Sequence, residues 1–258
     1  MMLCFGIVGR RMDKIKILGI PFHNVTANEM IEELTNKIES GTKCFTVTAN
    51  PEIVMYAQKD EKFKSTIENA DYIVPDGIGI IIGSKIIKEP LKERVAGFDL
   101  MMSLLEISNQ KHYRVYFLGA KDHVVKKAVE NCQKQFPHLK IAGYHHGYFD
   151  MNDNRIVENI RMVEPDLIFV ALGFPKQEFW ISKHFAQFQK GVFMGVGGSF
   201  DVLAGEVKRA PKMWRDLHLE WFYRLLKQPS RWRRMLVLPK FLLDVATLRL
   251  HKKGKAKF

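Results

Sequence analysis

The chain has 258 residues, 47% hydrophobic and 26% charged, a composition that suits one globular core and excludes wholesale disorder. No apolar run approaches the ~20 residues that cross a bilayer, and the three cysteines (Cys4, Cys44, Cys132) lack the spacing of a metal site or a disulfide framework, as suits a reducing cytoplasm. The net charge of +12 is all C-terminal: residues 208–258 hold 15 Lys and Arg against Asp216, Glu220 and Asp244, whereas residues 1–207 balance 25 bases with 25 acids.

In chain order, Met1–Gly9 is mildly apolar but precedes Arg10-Arg11, the reverse of a secretory leader. Residues 1–12 are therefore expected to be a disordered extension, with Met12 an alternative start. From residue 13 to 207 short apolar runs alternate with amphipathic stretches, the pattern of a parallel sheet covered by helices. The expected strands are Lys16–Ile20, Cys44–Thr48, Tyr72–Pro75, Arg114–Leu118, Lys140–Gly143, Asp166–Leu172 and Gly191–Val196. The expected helices are Asn28–Glu39, Pro51–Ile67, Phe98–Ser108, Asp122–Gln135, Asp153–Val163 and Pro175–Phe188. Pro51 and Pro175 fit first helical turns, which puts Asn50 and Phe174 at or near caps. The fold class is α/β, a Rossmann-like parallel sheet flanked by helices, with residues 13–207 as body and 208–258 as a basic helical appendage.

Glycines and polar residues gather just past the strands, where open parallel sheets bind ligands. Ala49-Asn50-Pro51-Glu52, Asp76-Gly77-Ile78-Gly79, Gly119-Ala120-Lys121, Gly143 through Gly147, Gly173 through Glu178 and Gly197 through Asp201 all sit there. Gly195-Val196-Gly197-Gly198 resembles a phosphate-cradling turn, yet neither a dinucleotide fingerprint in its usual place nor a Walker A motif occurs, which disfavours a dehydrogenase or ATPase. Asp76 follows an apolar strand directly. It is read either as a general base, given enough burial to raise its proton affinity, or as a cap for the next helix. Adjacent His145 and His146 do not make a metal site, and no nucleophile elbow occurs, so neither metal nor covalent chemistry is expected.

In the appendage, Lys212–Lys227 reads as one helix with Trp214, Leu217, Trp221, Phe222 and Leu225 on a shared face, and Pro239 is expected to open a second helix at Lys240–Leu250. Arg224, Arg231 and Arg234 supply planar forks suited to phosphate. Aromatic and basic residues together describe a helix lying on a membrane, or one packed on the body with its cations in water. A nucleic-acid binder is a rival reading, but no RNA- or DNA-binding signature appears.

Together these segments resemble the WecG/TagA/CpsF family of bacterial glycosyltransferases. The resemblance runs from about residue 15 to 240 and is carried by Thr48–Glu52, Val74–Gly77, Glu93–Leu100, Phe117–Ala120, Gly143–Phe149, Ala171–Glu178, Gly195–Asp201, Arg209–Pro211 and Leu219–Leu225. It implies transfer of an N-acetylmannosamine-type sugar from a UDP-sugar to the 4-hydroxyl of GlcNAc on undecaprenyl diphosphate, with inversion and without a metal or other cofactor. Mannosaminuronic acid or glucose donors are the family's alternatives. Asp76 then matches the general base, and Thr48 and Asn50 the acceptor pocket. Arg94 lies in a family motif, and Gln177 matches an active-site position. Gly119, Gly143, Gly173, Lys176, Gly197, Gly198 and Asp201 would hold the UDP, and Arg224, Arg231 and Arg234 would steady the departing diphosphate. The implied setting is the inner face of the plasma membrane, peripherally bound, with homo-oligomers in some members and no nucleic acid.

Overall fold

The computed structural model describes residues 12–217, 219–227, 232 and 236–255. Six strands form a parallel sheet: β3 (Cys44–Ala49), β4 (Tyr72–Pro75), β5 (Arg114–Gly119), β6 (Lys140–His145), β7 (Leu167–Ala171) and β8 (Val192–Gly195), in the order β4-β3-β8-β7-β5-β6. All five residues of β7 are buried, as a strand covered on both faces requires. Two apolar clusters fill the two faces. Phe45, Val47 and Ala49 of β3 point into one, and Cys44 joins Phe117, Phe169 and Met194 in the other.

The helices are α1 (Ala27–Glu39), α2 (Pro51–Ala57), α3 (Glu61–Glu68), α4 (Ile78–Ile86), α5 (Gly97–Lys111), α6 (Asp122–Gln135), α7 (Asn154–Met162), α8 (Lys176–His184) and α9 (Ser199–Leu203). The appendage supplies α10 (Lys212–Asp216), α11 (Glu220–Lys227) and α12 (Val237–Lys255). None of the described helices is long and apolar enough to cross a membrane.

Several elements differ from the sequence-based expectation. Lys16–Ile20 is not a strand of the sheet: β1 (Lys14–Ile17) and β2 (Ile20–His23) form a separate antiparallel hairpin. Leu18 and Gly19 turn it with φ of 47° and 84°, the left-handed pair that a two-residue hairpin loop needs. Pro51–Ile67 splits into α2 and α3 because the Asp60 carboxylate accepts from Phe63 N–H at 2.9 Å and caps a new helix. Helix α4 was absent from the expected set; it is apolar nearly all round and so shows no helical periodicity. Lys212–Lys227 is two helices, with Leu217 exposed and Trp221 half-buried, rather than one with a common face. Pro239 lies inside the first turn of α12 instead of opening it, where the missing N–H costs nothing.

Helix α12 lies across α4 and α2. Its Phe241 and Val245 are fully buried in the core cluster. Part of the appendage is thus built into the body.

Candidate functional site

The carboxyl ends of β4, β3, β8 and β7 open into one cavity of about 330 Å³, roofed by Glu220 and Trp221 of α11 and by Val237 and Leu238 of α12. Thr48, Asn50, Asp76, Arg94, Gln177, Gly197 and Gly198 all border it.

Asn50 is held by its second duty. Its Oδ1 accepts from Ile53 N–H at 3.0 Å as the cap of α2, which leaves its amide nitrogen as the donor for a ligand. Asp76 continues the β4 ladder, its N–H donating to Ala49 O at 2.9 Å, so its side chain leaves the strand end at the cavity edge, 28% exposed. Helix α5 begins against it. A Cβ at Gly97 would lie 2.8 Å from Thr48 Oγ1 and 3.3 Å from Asp76 Oδ2, so the missing side chain lets hydroxyl, carboxylate and helix N-terminus meet. That N-terminus favours negative charge beside it.

One nitrogen of Arg94 lies 3.5 Å from Asp76 Oδ1 and 3.3 Å from Glu220 Oε2. Burial works against the Arg94 charge, but Asp76, then Glu220 and Asp99, more than offset it and hold the guanidinium firmly cationic. The body's carboxylate and the appendage's carboxylate therefore share one arginine. A second arginine, Arg209, pairs with Asp99 at 2.7 Å and lies over the Phe98 ring, 4.6 Å from its centroid.

At the opposite wall Gln177 Oε1 accepts from Gly197 N–H at 3.0 Å, while its Nε2 donates to Glu178 Oε1 at 2.8 Å. Glu178 is 2% exposed, and burial pushes its carboxyl up to about 7 against the opposing hydrogen bond from Gln177.

Other residues singled out from sequence lie elsewhere. Gly119, Gly143, Gly173, Lys176 and Asp201 are not among the residues that border the cavity: β5 and β6 end to one side of it, whereas Gly173, Lys176 and Asp201 lie next to bordering residues after β7 and β8, with Asp201 Oδ2 3.6 Å from where a Cβ of Gly198 would stand. Close packing explains the first two: an added Cβ would come within 2.4 Å of the Ala171 backbone at Gly119 and 2.7 Å of the Tyr116 ring at Gly143. Arg231, Arg234 and the Arg224 side chain lie outside the described residues. Arg209, Glu220 and Trp221 carry no local signal beyond lying in or beside motif segments, and the fold brings them to the cavity from distant parts of the chain. Glu178 ends the polar run past β7, and nothing in the sequence gives it a role of its own.

The arrangement offers a proton-accepting carboxylate beside a hydroxyl, an amide donor, two guanidinium groups and a glycine turn. That set suits a ligand with both hydroxyls and negative charge. The buried thiols of Cys44 and Cys132 are held well above the ordinary thiol range by desolvation, which suits neither as a nucleophile. Among the described residues no cluster of three or more His, Cys, Asp or Glu is arranged to hold a metal ion.

A sequence model of the Glycosyl transferase WecG/TagA/CpsF family matches residues 15–255. A Bacillus spizizenii protein named N-acetylglucosaminyldiphosphoundecaprenol N-acetyl-beta-D-mannosaminyltransferase is 45% identical over 224 residues, covering 86% of this chain and 85% of that protein. A Staphylococcus aureus (strain MW2) protein of the same name is 43% identical over 235 residues, covering 90% of this chain and 92% of its own length.

Proposed function

This chain belongs to the WecG/TagA/CpsF family of glycosyltransferases, and on that premise we propose that it moves N-acetylmannosamine from UDP-ManNAc to the 4-hydroxyl of GlcNAc on undecaprenyl diphosphate, a step that builds the linkage unit of a teichoic acid. The observation that carries this reading is the Asp76 carboxylate at the cavity edge, paired with Arg94 and, like the Thr48 hydroxyl, packed close against Gly97. Asp76 takes the proton from the acceptor hydroxyl as that oxygen attacks the anomeric carbon from the side opposite the UDP, which inverts its configuration. Thr48 and Asn50 orient the acceptor sugar. Arg94, Gln177 and the Gly197-Gly198 turn face the donor, and Arg224, Arg231 and Arg234 stabilise the departing diphosphate. These cations stand in for a metal by offsetting charge that develops on the leaving group.

The chain works as a catalytic body (13–207) with an appendage (208–258) that meets the inner-leaflet surface holding the acceptor. Support comes from its basic charge and from exposed Leu217, Trp232, Leu236 and Leu243.

The test is incubation with a panel of UDP-sugars and a lipid-diphosphate-GlcNAc acceptor, read by mass spectrometry, with and without a chelator. Transfer is expected from UDP-ManNAc, unaffected by the chelator. Asp76→Asn is expected to lower turnover about 10³-fold while UDP-sugar binding persists. Near-normal turnover by that variant refutes the mechanism. Preference for UDP-glucose or the uronic acid donor refutes the assigned sugar.

A further inference from the structure

Glu178 is buried at the start of α8, has no place in the reaction described above, and presents a puzzle. Its Oε2 has no hydrogen-bond partner, so the chain keeps a carboxyl where an apolar side chain would avoid a desolvation cost. The reason lies in its other oxygen. Gly197 N–H can only donate, so the Gln177 amide must turn its oxygen toward it, and they meet at 3.0 Å. The amide NH2 then faces Glu178, which must accept, and does so at 2.8 Å. Strand β8 is shaped to the same end: a Cβ at Gly195 would lie 2.6 Å from Gln177 Nε2 and displace it.

We propose that Glu178 is a positioning residue, whose carboxyl oxygen locks the Gln177 amide in the orientation that holds Gly197 and so sets the glycine turn that receives the UDP-sugar. The proposal rests on the function assigned above. Gln177 and Gly197 both border the cavity, whereas Glu178 does not, so it acts through the amide alone. With the amide fixed, Gln177 keeps one N–H and one lone pair for the ligand. Burial raises the Glu178 pKa to about 7, and both its ionised and neutral forms can accept through Oε1.

The experiment compares the full-length parent with Glu178→Met, which keeps the bulk and removes the acceptor, and Glu178→Gln, which restores a carbonyl oxygen. UDP-ManNAc affinity is measured by calorimetry, and kcat and KM in the transfer assay. Glu178→Met is expected to bind the donor about tenfold more weakly, with KM raised by the same factor and kcat within about twofold. Glu178→Gln is expected to bind like the parent, a rescue that loss of packing alone does not give. Gly195→Ala, which pushes the amide from the other side, tests the same contact should Glu178→Met not fold, and is also expected to weaken the donor. Parental affinity in folded Glu178→Met, parental affinity in Gly195→Ala, or equal damage from Met and Gln at 178 each overturns the positioning role. A parent that binds no UDP-sugar overturns the function on which the role rests, and the role with it.

Discussion

Replacing Glu178 by glutamine is expected to stabilise the protein strongly at pH 8 and only slightly at pH 5. Burial lifts this carboxyl from an ordinary 4.5 to about 7. The folded state thus resists ionisation that the unfolded chain accepts freely, so stability falls as pH rises from 4.5 to 7 and stays lowered above that. At about 1.4 kcal/mol for each pH unit between the two values, the penalty reaches about 3 kcal/mol at pH 8, and at pH 5 it is under about 1 kcal/mol. Glutamine keeps the oxygen that accepts from Gln177 and cannot ionise. Against a total stability of about 5–15 kcal/mol, the gain at pH 8 is large. Urea unfolding of both proteins at pH 5 and pH 8 measures it as a shift in midpoint at constant slope. An equal gain at both pH values would show that ionisation is not its source, and no gain at pH 8 would refute the burial argument. Glu178 thus weakens the fold while positioning the site, a familiar exchange at functional positions.

Three other changes test separate parts of the structure. Gly97→Ala places a Cβ 2.8 Å from Thr48 Oγ1 and 3.3 Å from Asp76 Oδ2; transfer is expected to fall at least about tenfold in steady-state assays while the melting temperature changes little. Gly119→Ala combines a φ of +127° with a 2.4 Å approach to the Ala171 backbone, and is expected to destabilise by about 3 kcal/mol or more in urea melts. His23 is buried, accepts from Ile73 N–H, and is held near pKa 4 by desolvation and then by Lys14. Its contribution is complete above pH 6.5 and lost as pH falls toward 4, so His23→Gln is expected to flatten the stability profile in that window.

The sheet is legible in the sequence because buried parallel strands are short apolar runs, and Asn50-Pro51 announces a capped helix. The hairpin is not, because Leu18-Gly19 sits inside a run of apolar residues and only its backbone angles reveal a turn. Helix α4 hides for a related reason: Ile80, Ile81, Gly83 and Ser84 are all buried, and a helix without a polar face has no period. In the site, Thr48, Asn50, Asp76, Gln177 and the Gly197 turn follow strands, where the topology of an α/β sheet directs attention. Arg209 and Glu220 come from the appendage and meet Asp99 and Arg94 more than a hundred residues earlier, a closure that no local pattern encodes. Lys176 and Gln177 stand out by lying past a strand at an expected helix start, but nothing local shows that Glu178 is buried; the packing of α8 against the sheet does that.

The stretch carrying Glu220 and Trp221 is moored on both sides, by Ala210 before it and by Phe241 and Val245 after it, all buried. Cutting the chain at residue 208 would uncover a trough along α4, so the basic C-terminus cannot be trimmed away like a loose end. A segment fastened twice also stays near the rim of the cavity at an effective concentration that a free peptide would not reach. Its return after any displacement costs a modest loop-closure entropy in place of a search through solution.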